Sequence, residues 1–193
     1  MNTDYQDIKS SKNQISVEIC ENLCPNLMHT LAIDCRKSEG TMGKEIERKF
    51  MVTEGDWRNS KATRYRQGFL STVKERTVRV RTTEDKAFLT IKGIAIGASR
   101  MEYEYEIPRQ DADTLLGICE KPLIEKNRYK VEHGGFVWEV DEFFGENQGL
   151  IVAELELESE DQYFPKPDWV GEEVTGDPRY FNSNLIKNPY TKW

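Results

Sequence analysis

Two short runs of alternating charge carry the residues best suited to chemistry. Glu45 and Glu47, followed by Lys49, lie on one face of EIERKFM, and Glu154 and Glu156 repeat the carboxylate pair in IVAELELE. In an extended chain, residues i and i+2 share a face about 7 Å apart. Two such pairs set opposite one another can hold a divalent ion, and hard carboxylate oxygens select Mg²⁺, Mn²⁺ or Ca²⁺ over zinc. Cations gather on other segments: Arg79 and Arg81 in TVRVR, Lys92 in FLTIK, Lys126 and Arg128 in IEKNRYKV. Arginine forks grip phosphate oxygens in pairs and lysines act as point charges, so this set, with Lys49, suits a linear polyphosphate.

The elements that must position these residues are strands. From Lys44 onward the hydrophobic period is two, the mark of half-buried strands. EIERKFM sets Ile46 and Phe50 opposite its charges, with Arg48 on the apolar side. MEYEYEI sets Glu102, Glu104 and Glu106 opposite Met101, Tyr103, Tyr105 and Ile107. FVWEVDEF opposes Glu139 and Asp141 to Trp138 and Val140. With RYRQGFL near Tyr65, about eight strands are expected. DADTLLGICE has helical spacing, a second short helix is expected near Asp56 and Trp57, and the tail from Asp168 reads as a short helix and an ordered terminal peptide.

An ordinary antiparallel sheet turns such charges to water. Here nearly every strand has a face of full charges, carboxylates on some and Lys or Arg on others, with little Ser, Thr, Asn or Gln among them. Eight strands that close on themselves leave room for one small ligand. The charged faces then line the lumen and the apolar faces pack under helices. Buried Lys and Arg without partners would cost several kcal/mol each, to the order of magnitude, and a polyanion with a cation answers both needs. The fold expected is mainly β, an eight-stranded antiparallel closed barrel with a few covering helices.

Composition narrows the partners. A net charge of -7 over 193 residues argues against binding a nucleic-acid polymer. No apolar run approaches a membrane span and MNTDYQDIKSSK lacks the order of a secretory signal, so a cytoplasmic protein is expected. Residues 1–41 read as a loosely ordered extension and residues 42–193 as the domain. Within the extension, Cys20, Cys24, His29 and Cys35 match no standard zinc spacing.

The run Glu45-Ile46-Glu47-Arg48-Lys49, followed in order by RYRQGFL, VRVR, FLTIK, YEYEI, EKNRY, WEVDEF, VAELELE and GDPRYFN, resembles the CYTH or triphosphate tunnel metalloenzyme superfamily, in its short bacterial branch. The resemblance implies a tunnel, dependence on Mg²⁺ or Mn²⁺, and cleavage of a small polyphosphate. By motif, Glu45 and Glu47 match metal ligands. Lys49, Arg79, Arg81, Lys92, Lys126 and Arg128 match phosphate ligands, with Lys92 also expected in catalysis. Glu154 and Glu156 are expected to complete the metal site or orient the attacking water. Asp141, as a further metal ligand, and Glu139 support the metal or the basic ring, and Arg179 approaches a tunnel mouth. Phe69 departs from the tyrosine common in that branch, which removes a hydroxyl near the tunnel.

Inorganic triphosphate is the expected substrate, cleaved to pyrophosphate and phosphate. Nucleotide or thiamine triphosphate hydrolysis and ATP cyclisation are the alternatives within the fold, and a non-catalytic polyphosphate-binding module is the alternative outside catalysis.

Overall fold

The computed structural model describes residues 41–193, with side chains from Glu45 onward. Apart from Thr41, the extension and its cysteine and histidine set lie outside the described residues. Nine strands follow in chain order: β1 (Thr41–Val52), β2 (Ala62–Ser71), β3 (Thr77–Thr82), β4 (Ala87–Lys92), β5 (Ser99–Glu106), β6 (Glu120–His133), β7 (Phe136–Phe143), β8 (Ile151–Glu156) and β9 (Val170–Glu173).

All pairings are antiparallel, in the order β5-β4-β3-β2-β6-β7-β8-β1, and β1 meets β5 to close the circle. β1 is the seam: Thr41 to Ile46 pair with β5, Glu47 to Met51 pair with β8, and β9 adds to the free side of its second half. The barrel is therefore an eight-stranded closed one with an extra strand, as the alternation predicts. β9 is the one strand the alternation missed, because VGEE is too short to show a period.

Apolar side chains sit mostly outside the barrel wall. Phe50, Trp138, Val140, Ala153 and Leu155 form a fully buried outer cluster with Trp57 and Trp169. The expected segment near Asp56 is a single 3-10 turn, Asp56–Asn59, which delivers Trp57 edge-on to Tyr129, ring centroids 5.1 Å apart. The helix Arg109–Ile118 turns Ala112 and Leu116 onto Val80 and Ala87, outward residues of β3 and β4. Its spacing and the Pro108 before it fit a helix start, where proline costs no hydrogen bond.

Two glycines show how tightly the wall is set. Gly134 and Gly135 form the β6–β7 turn with φ of 59° and 83°, the left-handed conformation that tight hairpins require. A Cβ on Gly68 would lie 2.6 Å from the Cβ of Cys119, so β2 lies hard against the end of the helix. Among the described residues no helix is long and apolar enough to cross a membrane.

Candidate active site

Alternation along the closed wall turns the charged faces inward, where they meet as a lattice of opposite charges. Lys49 on β1 pairs with Glu154 on β8 and lies 3.4 Å from Glu47. Arg128 on β6 is engaged at every guanidinium nitrogen. Its Nε and Nη2 donate to Asp141 at 2.7 and 2.6 Å, Nη2 also donates to Glu154 at 2.5 Å, and Nη1 donates to Glu139. Lys126, 1 % exposed, donates to Asp141, which is wholly buried. These residues make a charge-satisfied wall over β6, β7 and β8.

A second group lies across β3, β4 and β5. Arg81 donates to Glu104 at 2.8 Å, Arg79 donates to Thr90 at 3.1 Å and to Glu104 at 3.4 Å, and the Thr90 hydroxyl donates to Glu104 at 2.7 Å. Lys92 lies between Glu45 at 3.1 Å and Glu102 at 2.5 Å, and Arg100 holds Glu45 at 2.7 Å. Tyr65 on β2 presents its ring to both Arg81 and Arg128, 5.3 and 5.5 Å from the centroid.

The expected residues on β1, β3, β4, β6, β7 and β8 are thus brought together in one interior. Arg179 is not. It pairs with Asp177 on an exposed turn, beside a shallow outer hollow lined by Asn184, Lys187 and Asn188. The sequence reading gave no site role to Glu102, Glu104, Thr90 or Arg100. The alternation of MEYEYEI carried the signal for the two glutamates, but their partners Arg79, Arg81 and Lys92 lie on other strands and register alone reveals the pairing.

Burial and neighbours set the protonation of the lattice. Loss of solvent would raise Glu154, but Lys49, Arg128 and Lys126 hold it well below the ordinary carboxylate range. Glu45 is opposed in the same way: burial raises it, and Lys92 and Arg100 bring it below that range. Glu102 goes the other way, raised by burial and by its hydrogen bond to Glu45. Burial and the adjoining Arg81 lower Arg79 to about 10, and burial with Arg128 lowers Lys126 to about 8.

The donor set bears on a divalent cation. Among the described residues no three carboxylate, thiol or imidazole groups are already drawn together as a cage. Glu45 and Glu47 on β1 nonetheless lie close enough to Glu156 on β8 to act on its carboxyl. Glu156 is pushed up by loss of solvent and by Glu139, Glu45 and Glu47. Crowded, hard oxygens whose repulsion a cation would relieve fit Mg²⁺ or Mn²⁺. Asp141 pairs with Lys126 and Arg128.

The charged lattice ends on an apolar floor. Ile124, Phe143 and Val152, one step beyond Lys126, Asp141 and Glu154 on their strands, pack with Phe69, Leu185 and Ile186. Leu185 belongs to the short helix Asn182–Leu185 of the expected tail. Phe69 is 3 % exposed and fills this floor with carbon.

Comparison with known proteins agrees with this architecture. The CYTH domain family matches residues 43–190. A curated inorganic triphosphatase of Acetivibrio thermocellus is 58% identical over 151 residues, covering 77% of this chain and 97% of the relative. One from Nitrosomonas europaea is 39% identical over 145 residues, covering 73% and 95%. A crystal structure of an inorganic triphosphatase superposes with a TM-score of 0.54 at 35% identity, over 74% of this chain and 97% of that one. By the match from β1 to the terminal turns and by the barrel that those residues build, the chain belongs to the CYTH domain family.

Proposed function

We propose that the chain cleaves inorganic triphosphate to pyrophosphate and phosphate inside the barrel, with Mg²⁺ or Mn²⁺. That it is a triphosphatase accords with the curated relatives. The observation that carries the finer reading is the interior itself: Lys49, Arg79, Lys92, Lys126 and Arg128 are all below a tenth exposed and converge from four strands. Cations confined this way are matched by a ligand that is small, linear and highly anionic.

Phosphoryl transfer needs charge neutralisation and in-line placement more than covalent help. Arg79 and Arg81, with Lys92, neutralise the non-bridging oxygens along one wall. Lys49, Lys126 and Arg128 do so along the other, where Asp141 and Glu139 fix the guanidinium plane of Arg128. Glu45, Glu47 and Glu156 would hold the divalent ion, which supplies charge neutralisation at the phosphoanhydride and a more acidic water. Both oxygens of Glu154 are taken by Lys49 and Arg128, so it orients cations. Glu156 has no ion-pair partner among the described residues and takes the proton of the attacking water. Lys49, Lys92, Lys126, Arg128, Asp141 and Glu154 are buried away from bulk water, which strengthens their interactions, while Glu156 at the end of β8 is exposed.

The test is phosphate release from tripolyphosphate, ATP and thiamine triphosphate side by side, with and without Mg²⁺ or Mn²⁺. Metal-stimulated release from tripolyphosphate above the other two supports the reading. Tight binding without release would make the chain a binding module. Preference for a nucleotide would move the substrate, leaving the fold and site as described.

A further inference from the structure

Gln67 is 0 % exposed, and neither its Nε2 nor its Oε1 has a hydrogen-bond partner. A buried amide left unpaired is destabilising, so a position that tolerates it has something else for it to bind. Its direction is fixed by the wall. The next residue, Gly68, faces out against Cys119 and Leu123, and Gln67 sits in register with Arg81 on β3 and Ile124 on β6. Arg81 reaches inward to Glu104 and Ile124 packs on the apolar floor. The amide of Gln67 therefore enters the lumen between the arginines of β3 and the floor.

Its neighbours share the same unfilled capacity. The hydrogen bonds of Arg79 and Arg81 all leave from Nη2, and the Nε of each is buried and unpartnered. Across the lumen the opposite holds, since every nitrogen of Arg128 already meets a carboxylate. Donors in surplus thus line β2 and β3, while β6, β7 and β8 are internally neutralised.

We infer that Gln67 is a substrate-binding residue, its amide N–H donating to a phosphate oxygen seated against Arg79 and Arg81; this rests on the triphosphatase reading above. The β2–β3 wall is the main phosphate cradle, and Gln67 marks its inner end. An amide offers a donor and an acceptor together, which matches a terminal phosphate carrying one proton better than a fully charged bridging one.

The experiment uses the full chain as wild type, Gln67→Met and Gln67→Glu. It measures tripolyphosphate hydrolysis with Mg²⁺, and the shift in unfolding temperature that tripolyphosphate causes in EDTA. Losing one hydrogen bond to a charged oxygen raises KM roughly ten- to hundredfold in Gln67→Met with a smaller change in kcat. Its ligand-free unfolding temperature stays at or above wild type because the unpaired amide is gone, and the tripolyphosphate-induced shift shrinks. Gln67→Glu, able to pair with Arg81, raises the ligand-free unfolding temperature and weakens the substrate further. The inference is overturned if both variants keep wild-type kcat/KM, or if Gln67→Met lowers the ligand-free unfolding temperature and leaves the induced shift intact, as a packing residue would. A wild type that hydrolyses tripolyphosphate beside unaffected variants removes the role of Gln67 alone. A wild type that neither hydrolyses nor is stabilised by it removes the triphosphatase reading and this inference together.

Discussion

Glu45 illustrates how a carboxylate can stay ionised where burial alone would protonate it. Lys92 and Arg100 hold it, and Glu102 beside it is pushed up by burial and by its hydrogen bond to Glu45. Replacing Glu45 or Glu47 by Gln removes a hard ligand from the corner where the carboxylates repel one another. Each substitution is expected to lower metal-stimulated phosphate release by at least about a hundredfold; Glu47→Gln should lose little unfolding temperature in EDTA, whereas Glu45→Gln, which takes a shared partner from Lys92 and Arg100, should lower it. A colorimetric phosphate assay beside a thermal melt checks both. Lys126 supplies the pH test. Its folded pKa is depressed to about 8 from 10.5, so above 8 the folded chain gives up a proton that the unfolded chain keeps up to about 10.5. Its contribution is therefore present above 10.5 and lost as pH falls through 8. Wild type should gain stability relative to Lys126→Met as pH is raised across that window, read as a difference in denaturant midpoints. At this scale the sequence was legible where one strand carried its own pattern, as in Glu45, Glu47 and Lys49. It was opaque where identity depends on a partner strand. Asp141 is an example: the alternation of FVWEVDEF put it on the charged face, but its pairing with Lys126 and Arg128 shows only in the register of β6 and β7.

Strands set the next scale, because each carries charge inward and carbon outward at once. Asp141 on β7 is the shared counter-ion for two cations of β6, so Asp141→Asn leaves Lys126 and Arg128 under-compensated in a dry interior. A loss of about 3–5 kcal/mol is expected, visible as a drop in the urea midpoint. The β6–β7 turn is steric where the lattice is electrostatic. A Cβ on Gly134 would fall 2.0 Å from Cγ of Pro165, and its φ of 59° already disfavours a side chain. Gly134→Ala should cost roughly 2 kcal/mol, while the activity per folded molecule stays at wild type in a tripolyphosphate assay. Eight strands and the helix Arg109–Ile118 were legible because a period of two or 3.6 persists over several residues. β9 was not. It is held by Arg48, whose Nε donates to Glu173 at 2.8 Å while its guanidinium stacks over Phe164. That explains an arginine on the apolar side of EIERKFM, which the alternation recorded without a reason.

In the whole molecule, carbon covers the outside of the wall and floors the inside, and charge is confined to the zone between. Leu185, fully buried, closes that floor from the C-terminal segment. Leu185→Ala should cost about 3 kcal/mol by leaving a cavity and lower kcat/KM by admitting water beneath the lattice; differential scanning calorimetry and steady-state kinetics read the two effects separately. The polar interior was legible from composition by strand, since full charges repeated on nearly every strand are hard to explain as a wet surface. The floor was not, because Phe69, Phe143 and Leu185 come together only on closure. The seam at β1 governs when the enzyme can begin to work during its own synthesis. β1 leaves the ribosome early, yet Lys49 waits for Glu154, 105 positions later, and Glu47 for Glu156 beside it. A nascent chain halted after β5 would have Lys92 and Arg100 for Glu45 but no β8 for Lys49 and Glu47. Competence therefore arrives in a single late event, and contacts of such sequence separation make that event slow compared with local hairpin formation.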